Sequence, residues 1–296
     1  MMTRISSPIA LLGLALSAFV ARGAEGPEVA SEDNLVYTKA GSTELRLDLA
    51  RPAEGEGPFP AVVVIHGGGW RGGSKDSNRA VLNELARRGY VAISPQYRFC
   101  PKDVFPAQVH DVKAAVRWLR SNRAKYKVDP DHVGAMGFSA GGHLSLMLGV
   151  TGPSDGLEGE TTAEAPSSRV QAVVNYFGPT DLAARDIPEA SRPLVKNFLG
   201  GTPDENPEAA AKASPLTYVS KDDAPTLTFQ GTKDPLVPYT QAVKLTDAMT
   251  ASGVAGRVDL LIGAGHGWRG DDLKRTMDET YAFLDKHLKP SPRRSP

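Results

Sequence analysis

Short apolar segments alternate with helical patterns along most of this 296-residue chain. Residues 59–65 and 170–177 are almost continuously apolar, as strands are when helices cover both faces of a sheet. Between such segments, apolar residues recur at the three- and four-residue steps of amphipathic helices, for example from Val109 to Leu119. This succession predicts an α/β fold with a mostly parallel, doubly wound sheet and helices on both faces. The segments predicted as strands are 43–50, 59–65, 90–94, 132–138, 170–177, 225–230 and 257–262.

Three segments differ from this pattern. Residues 43–50 alternate leucine with charged residues, which predicts a half-buried strand at the edge of the sheet. Residues 151–168 are polar and rich in glycine and serine, so we predict an exposed loop. Residues 182–218 contain several prolines and short helical patterns, and they lie where an α/β enzyme often carries a small lid. Since neither a repeat nor a linker interrupts the chain, we predict one domain over residues 24–296, with 182–218 as a lid segment.

The first 23 residues have the features of a signal peptide. Arg4 precedes an apolar run over residues 9–20, and small residues flank Arg22. The run is too short to span a bilayer comfortably, and no second hydrophobic segment follows it. We therefore expect cleavage near Gly23, export to the periplasm or the medium, and no stable membrane insertion after processing. The alternative is an uncleaved membrane anchor.

Charge and cysteine content exclude several classes of site. The chain balances 34 Lys and Arg against 34 Asp and Glu, so it lacks the overall basic charge of a general nucleic-acid binder. Its single cysteine, Cys100, excludes an intrachain disulfide and any metal site that needs several cysteines, and we interpret it as a buried apolar residue. The acidic residues and histidines are not spaced as metal ligands, so no metal and no cofactor are expected. The sequence does not predict an oligomeric state.

The strongest local motif is Gly-Phe-Ser-Ala-Gly at residues 137–141, between a predicted strand and a predicted helix. A nucleophile on a strained strand-to-helix turn leaves no room for neighbouring side chains, which explains the flanking glycines. The motif alone is weak, but the strand-like residues before it and the apolar residues after it are the required context. Ser139 is therefore a candidate nucleophile.

A second motif, His-Gly-Gly-Gly-Trp at residues 66–70, directly follows the apolar segment 59–65. Consecutive glycines let backbone N–H groups approach a ligand and stabilise a developing oxyanion. His66 is interpreted as a brace for this loop. Trp70 either lines an acyl pocket or packs in the core.

A serine nucleophile needs a base, and the base needs a carboxylate to orient it. His266 lies in a glycine-rich loop after the last predicted strand, whereas His110, His132, His143 and His287 lie in predicted helices or at a strand start and are interpreted as structural. Asp234 follows the segment 225–230 and is the preferred carboxylate. Asp181 comes one strand earlier and is the rival, and Asp259 falls within a strand. The chain order Ser, Asp, His places each residue after the carboxyl end of a strand, where open α/β sheets bind their ligands.

The motifs at 66–70, 137–142, 234–238 and 266–268 together resemble the α/β-hydrolase superfamily. More narrowly, they are similar to secreted bacterial esterases related to hormone-sensitive lipase, which include feruloyl and acetyl xylan esterases. The resemblance covers roughly residues 37–288. It implies that Ser139 is the nucleophile, His266 the general base and then acid, and Asp234 the residue that orients it. It also implies an oxyanion hole formed by the backbone N–H groups of Gly68, Gly69 and Ala140.

The resemblance implies a serine carboxylesterase that acts on short-chain acyl esters. Its expected substrate is a small ester or an esterified polysaccharide, with acetyl and feruloyl esters of plant polymers as candidates. The chain departs from lipase-type relatives because it shows no N-terminal cap domain, which disfavours long-chain lipids. Two alternatives remain: a serine peptidase of the prolyl oligopeptidase type, and a non-catalytic binding protein on a hydrolase scaffold.

Overall fold

A computed structural model describes residues 27–289, and its centre is one eight-stranded sheet with the order β1-β2-β4-β3-β5-β6-β7-β8. The strands are β1 (Val29–Ala40), β2 (Thr43–Pro52), β3 (Phe59–Ile65), β4 (Val91–Pro95), β5 (Val128–Phe138), β6 (Ala172–Tyr176), β7 (Thr226–Gly231) and β8 (Gly256–Leu261). The helices are α1 (Arg79–Arg87), α2 (Ala107–Ser121), α3 (Arg123–Tyr126), α4 (Ala140–Val150), α5 (Arg192–Leu199), α6 (Pro207–Lys212), α7 (Tyr239–Ala251) and α8 (Gly270–Leu288).

From β4 to β8 every neighbouring pair of strands is parallel, whereas β1 pairs antiparallel with β2, and β2 pairs antiparallel with β4. This is the α/β-hydrolase arrangement, so the predicted fold class is confirmed. The strand order reverses between β3 and β5, which creates a crevice at their carboxyl ends. The two glycine motifs of the sequence follow these two strands directly.

Helices cover both faces of the sheet because side chains alternate along each central strand. In β3, Ala61, Val63 and Ile65 join a core that includes the apolar residues of α2 and α4. Val62 and Val64 face the opposite way, into a core formed with α1 and α8. A continuous apolar run therefore corresponds to a strand buried on both faces, as predicted for residues 59–65.

The predicted position of residues 43–50 at the sheet edge is wrong. β2 lies second in the sheet, and β1 covers its outer side. The sequence gives little sign of β1, because this strand is only partly buried and carries charged and polar residues without regular apolar alternation. β2 is correspondingly more buried than an edge strand, with Asp48 itself almost inaccessible and bound to the Lys75 ammonium at 2.7 Å.

Two loop predictions gain detail from the structure. The polar residues 151–168 are tied to α2, since Lys113 Nζ lies 2.6 Å from Glu158 Oε1 and is fully buried. Residues 182–218 contain α5, α6 and a 3-10 turn at Pro215–Tyr218, between β6 and β7.

The predicted signal peptide lies outside the described residues. Within residues 27–289, no helix is both long and apolar enough to cross a membrane.

Candidate active site

Ser139 occupies a one-residue turn between β5 and α4, with φ of 54° and ψ of −119°. Non-glycine residues rarely adopt this conformation, which costs about 1–3 kcal/mol and persists only where the surroundings hold it. Its N–H donates to the Tyr176 carbonyl at 2.8 Å, and its carbonyl accepts from the His143 N–H at 3.0 Å. The turn therefore presents the hydroxyl at the crevice beyond the carboxyl ends of β3 and β5.

The glycine at position 141 is required by close contact between backbones. A Cβ atom at Gly141 would overlap the carbonyl oxygens of Ile65 and His66. The first turn of α4 thus lies directly against the end of β3, and it brings the Ser139 turn beside the loop at residues 66–70.

That loop turns through three successive residues of positive φ: 125° at Gly68, 60° at Gly69 and 57° at Trp70. In the part of the chain that the structure describes, the N–H groups of Gly68, Gly69 and Ala140 donate to no backbone acceptor. Gly69 and Ala140 line a cleft together with Ser139. Gly68 is not among the described residues that line it, and its carbonyl accepts from the Arg71 N–H at 3.2 Å. The Ala140 N–H also begins α4, where the helix dipole favours negative charge.

Trp70 lines the cleft and is also packed in the core. Its indole stacks on Phe198 with ring centroids 4.3 Å apart, and Nε1–H donates to His143 Nδ1 at 3.2 Å. His143 Nε2 in turn donates to the Ala213 carbonyl at 2.7 Å, so both nitrogens of this ring are used. Full burial lowers the pKa of His143 to about 4, which keeps the ring neutral and able to accept from the indole. One imidazole thereby joins the glycine loop, α4 and the segment 182–218.

His66 stabilises the glycine loop through its ring and its carbonyl group. Its ring stacks on Tyr97 at 4.4 Å, and its Nδ1 donates to the Gly67 carbonyl at 2.8 Å. The Tyr97 hydroxyl donates to the His66 carbonyl at 3.0 Å. Burial lowers the pKa of His66 to about 4, so this ring is also neutral in the folded protein.

These two neutral histidines predict loss of stability in acid. The unfolded chain takes up a proton on each near pH 6.5, whereas the folded protein resists protonation until about pH 4. The free energy of unfolding is therefore expected to fall as the pH drops through this window, by about 3 kcal/mol per histidine at 1.36 kcal/mol per pH unit. Urea unfolding between pH 7.5 and 4 measures it. His143→Gln should remove about half of the loss. Equal stability at both ends of this range would contradict the prediction.

The candidate serine, histidine and carboxylate meet at the cleft. Ser139 Oγ lies 2.8 Å from His266 Nε2, and His266 Nδ1 lies 2.7 Å from Asp234 Oδ2. The Asp234 side chain is 0% exposed and that of His266 is 17% exposed. With Nδ1–H donated to the carboxylate, Nε2 carries the lone pair that faces the hydroxyl. The arrangement suits removal of the serine proton by the imidazole.

The structure separates Asp234 from the other candidate carboxylates. Asp181 lies on the loop after β6, and its Oδ1 accepts from the Ala183 N–H at 3.1 Å. Asp259 lies within β8 and pairs with Arg275 at 2.6 Å. Neither hydrogen-bonds to His266, so Asp234 is the carboxylate that the fold brings to this histidine.

Two residues at the site were missed by sequence reasoning. The ring of Phe177, which has φ of 44°, meets the His266 ring edge-on at 4.7 Å. Gln230, fully buried near the end of β7, donates from Nε2 to Asp234 Oδ2 at 2.9 Å. A glutamine in a buried strand, four residues before the candidate carboxylate, was the available signal.

The cleft has a cavity of about 40 Å³ and is mostly apolar. The segment 182–218 supplies much of its wall through Leu182, Ile187, Leu194 and Val195. Cys100 takes no part in this wall; it is buried, and burial raises the pKa of its thiol to about 11. Among residues 27–289, no group of three or more His, Cys, Asp or Glu side chains is placed to hold a metal ion.

Comparisons with known proteins point to esterases. Residues 47–249 match the family model BD-FAE. The chain is 34% identical over 232 residues to esterase LipC of Mycobacterium tuberculosis, covering 76% of this chain and 57% of that protein. It spans about half the length of the curated relatives it matches.

Solved structures give the same result. A truncated carbohydrate esterase from gut microbiota superposes with a TM-score of 0.74 at 29% identity, covering 88% of this chain and 99% of that one. Esterase Est2 of Thermogutta terrifontis superposes with a TM-score of 0.73 at 27% identity, covering 92% and 96% respectively.

Proposed function

The chain belongs to the BD-FAE family of α/β-hydrolase serine esterases, and from this membership we propose that it is a carboxylic ester hydrolase with Ser139 as its nucleophile. The observation that carries the proposal is the continuous hydrogen-bonded series from Ser139 through His266 to Asp234. Beside it lie the N–H groups of Gly69 and Ala140, which donate to no backbone acceptor among residues 27–289. The names of its relatives favour esters over peptides as the bonds that are cleaved.

In the first half-reaction, Ser139 Oγ attacks the ester carbonyl carbon while His266 Nε2 takes the hydroxyl proton. Negative charge develops on the carbonyl oxygen, and the N–H groups of Gly69 and Ala140, which line the cleft, stabilise it. The tetrahedral intermediate then collapses. The bond to the alcohol oxygen breaks, and His266 returns its proton to that oxygen.

In the second half-reaction, water attacks the acyl-serine carbonyl. His266 Nε2 removes a proton from the water, and the same N–H groups stabilise the second oxyanion. Collapse releases the carboxylic acid, and the proton returns to Ser139 Oγ. Asp234 keeps Nδ1 protonated and stabilises the imidazolium in both halves.

We further propose a short acyl group, acetyl in preference to feruloyl. A cavity of about 40 Å³ admits a few atoms only. Leu194 supports this limit, because its side chain lies against Gly69 and would be 3.0 Å from a Cβ atom placed there. An acetyl ester of a carbohydrate would place its small acyl group in the cavity and leave the sugar at the open side.

The wall formed by residues 182–218 is anchored at several points, which supports a fixed size limit. Ser191 Oγ donates to the Leu236 carbonyl at 2.7 Å, next to the loop that carries Asp234. At its other end, the Ala213 carbonyl accepts from His143 Nε2 of α4 at 2.7 Å. The segment is thus held to the body of the protein and acts as a wall.

A panel of esters tests this assignment. For the wild type, kcat/KM is expected to be highest for acetate esters, including acetylated xylan, and to fall from p-nitrophenyl acetate to the octanoate, with methyl ferulate poorly cleaved. Leu194→Ala should raise the butyrate-to-acetate ratio of kcat/KM by about tenfold, the scale on which apolar pockets discriminate methylenes. Leu216→Ala, in the same segment but outside the cleft wall, is the matched control. Preference of the wild type for methyl ferulate or octanoate would refute the short-acyl assignment.

A further inference from the structure

The Asp234 carboxylate accepts four N–H groups. Its Oδ1 accepts from the backbone N–H of Leu236 at 2.8 Å and of Val237 at 3.0 Å. Its Oδ2 accepts from His266 Nδ1 at 2.7 Å and from Gln230 Nε2 at 2.9 Å. All the acceptor positions of a carboxylate are therefore used. His266 shares one oxygen atom with Gln230.

The orientation of the Gln230 amide is fixed by its partners. Nε2 faces two acceptors, Asp234 Oδ2 and the Val237 carbonyl, the second also at 2.9 Å. The amide nitrogen must point towards them, because the carbonyl oxygen cannot donate. Gln230 therefore links the strand β7 to both ends of the loop that carries the carboxylate.

The other end of this amide is poorly satisfied. Gln230 Oε1 is buried, and no donor reaches it among residues 27–289. A buried acceptor without a partner destabilises a fold, so an apolar side chain of the same length would suit the core better at this end. The free-energy cost of burying this amide is compensated only by the hydrogen bonds of Nε2, on the side that faces Asp234.

We propose that Gln230 is a positioning residue that sets how strongly Asp234 holds the protonated form of His266. A neutral N–H donor on Oδ2 draws negative charge from the oxygen that faces the imidazole. Without that donor, the carboxylate would attract the imidazolium more strongly and would also rotate more freely. This inference rests on the proposed function, because it assigns a role in the same catalytic series.

Within residues 27–289, no other charged side chain pairs with Asp234 or His266. The His266 ring meets Asp234 from the loop after β7, Ser139 from the turn after β5 and Phe177 from the end of β6. Of these contacts only Asp234 carries a charge. Lys233 and Arg269, the cations nearest to the pair along the chain, are both exposed to solvent. Changes at position 230 therefore act on His266 chiefly through Asp234.

The test compares Gln230→Met with the wild type. Methionine keeps the length of the side chain without its donor. We expect kcat/KM at pH 7 to fall about tenfold in Gln230→Met, and the acid limb of its pH profile to move up by about half a pH unit.

Gln108→Met is the matched control. Gln108 in α2 is equally buried, its Nε2 donates to the Asp103 carbonyl at 2.6 Å, and its Oε1 also lacks a donor among the described residues. It has no contact with the three site residues. Gln108→Met should therefore leave both kcat/KM and the pH profile unchanged.

A second measurement separates this inference from the proposed function. The rate at which a fluorophosphonate labels Ser139 reports the reactivity of the hydroxyl without reference to any ester substrate, and it should fall in Gln230→Met by a similar factor. If the wild type hydrolyses esters and Gln230→Met matches its rates and pH profile, only the role of Gln230 is refuted. If Gln230→Met loses rate while the acid limb of its pH profile does not move, the role of Gln230 is merely structural, and the inference is refuted as well. If the wild type cleaves no ester, the proposed function fails, and the labelling rates alone decide the role of Gln230.

Discussion

Ser139→Ala is expected to abolish turnover of p-nitrophenyl acetate, with kcat lowered by about 10⁴-fold or more. Without Oγ no acyl-enzyme can form, and only the N–H groups around the cleft remain to assist attack by water. The fold should persist, because the lost hydrogen bond to His266 is worth about 1 kcal/mol, or roughly 2–4 °C in Tm. Steady-state kinetics and thermal unfolding of the purified variant measure both.

Ser145→Ala provides the control for this experiment. Ser145 lies in the same helix, α4, where its hydroxyl donates to the Gly141 carbonyl at 2.9 Å, away from His266. Its removal should leave kcat near the wild-type value. Retention of more than a tenth of the activity by Ser139→Ala would disprove the assigned nucleophile. A wild-type protein that forms no fluorophosphonate adduct would favour the non-catalytic binding alternative.

Asp234→Asn is expected to lower kcat by about 10⁴-fold while changing the shape of the site very little. The backbone N–H groups of Leu236 and Val237 fix one atom of the new amide as its oxygen. Its NH₂ group then faces His266 Nδ1, which must become an acceptor. The proton moves to Nε2, where it points at Ser139 Oγ and blocks proton removal.

The rival carboxylate gives the matched comparison. Asp181→Asn makes the same chemical change on the neighbouring loop, where the side chain bonds only locally, to the Ala183 N–H. Its kcat should match that of the wild type. If Asp181→Asn is the inactive variant and Asp234→Asn is active, the assignment of the orienting carboxylate must be reversed.

The central strands and the turn at Ser139 could be predicted because each local sequence pattern reflects a single physical requirement, such as burial or close backbone contact. Residues 59–65 are apolar throughout, and β3 is buried on both faces. The glycine at 141 was expected from the need for space, and its position against the carbonyls of Ile65 and His66 supplies the reason. Ser139, Asp234 and His266 could be proposed together because parallel strands end at the same edge of the sheet.

The remaining features depend on contacts between distant residues. β1 is set by its pairing with β2, and its exposed residues leave no apolar period to detect. The bond from Gln230 to Asp234 depends on how the loop after β7 folds back on its own strand. The size of the cleft depends on where α5 places Leu194 against Gly69, which lies on a different loop. Sequence patterns indicate which residues of one helix or strand are buried, but they say little about contacts between distant elements.

The imidazole of His143 has a consequence for engineering this protein. It accepts from the indole of Trp70 and donates to the carbonyl of Ala213. Transplanting a different segment between β6 and β7 to obtain a new specificity would have to bring a carbonyl oxygen to the same point. Otherwise the imidazole loses its acceptor, and the Trp70 indole loses a group that holds it in place beside the cleft. A replacement segment that is chosen to change substrate selectivity must therefore also be tested for its effect on the reaction rate.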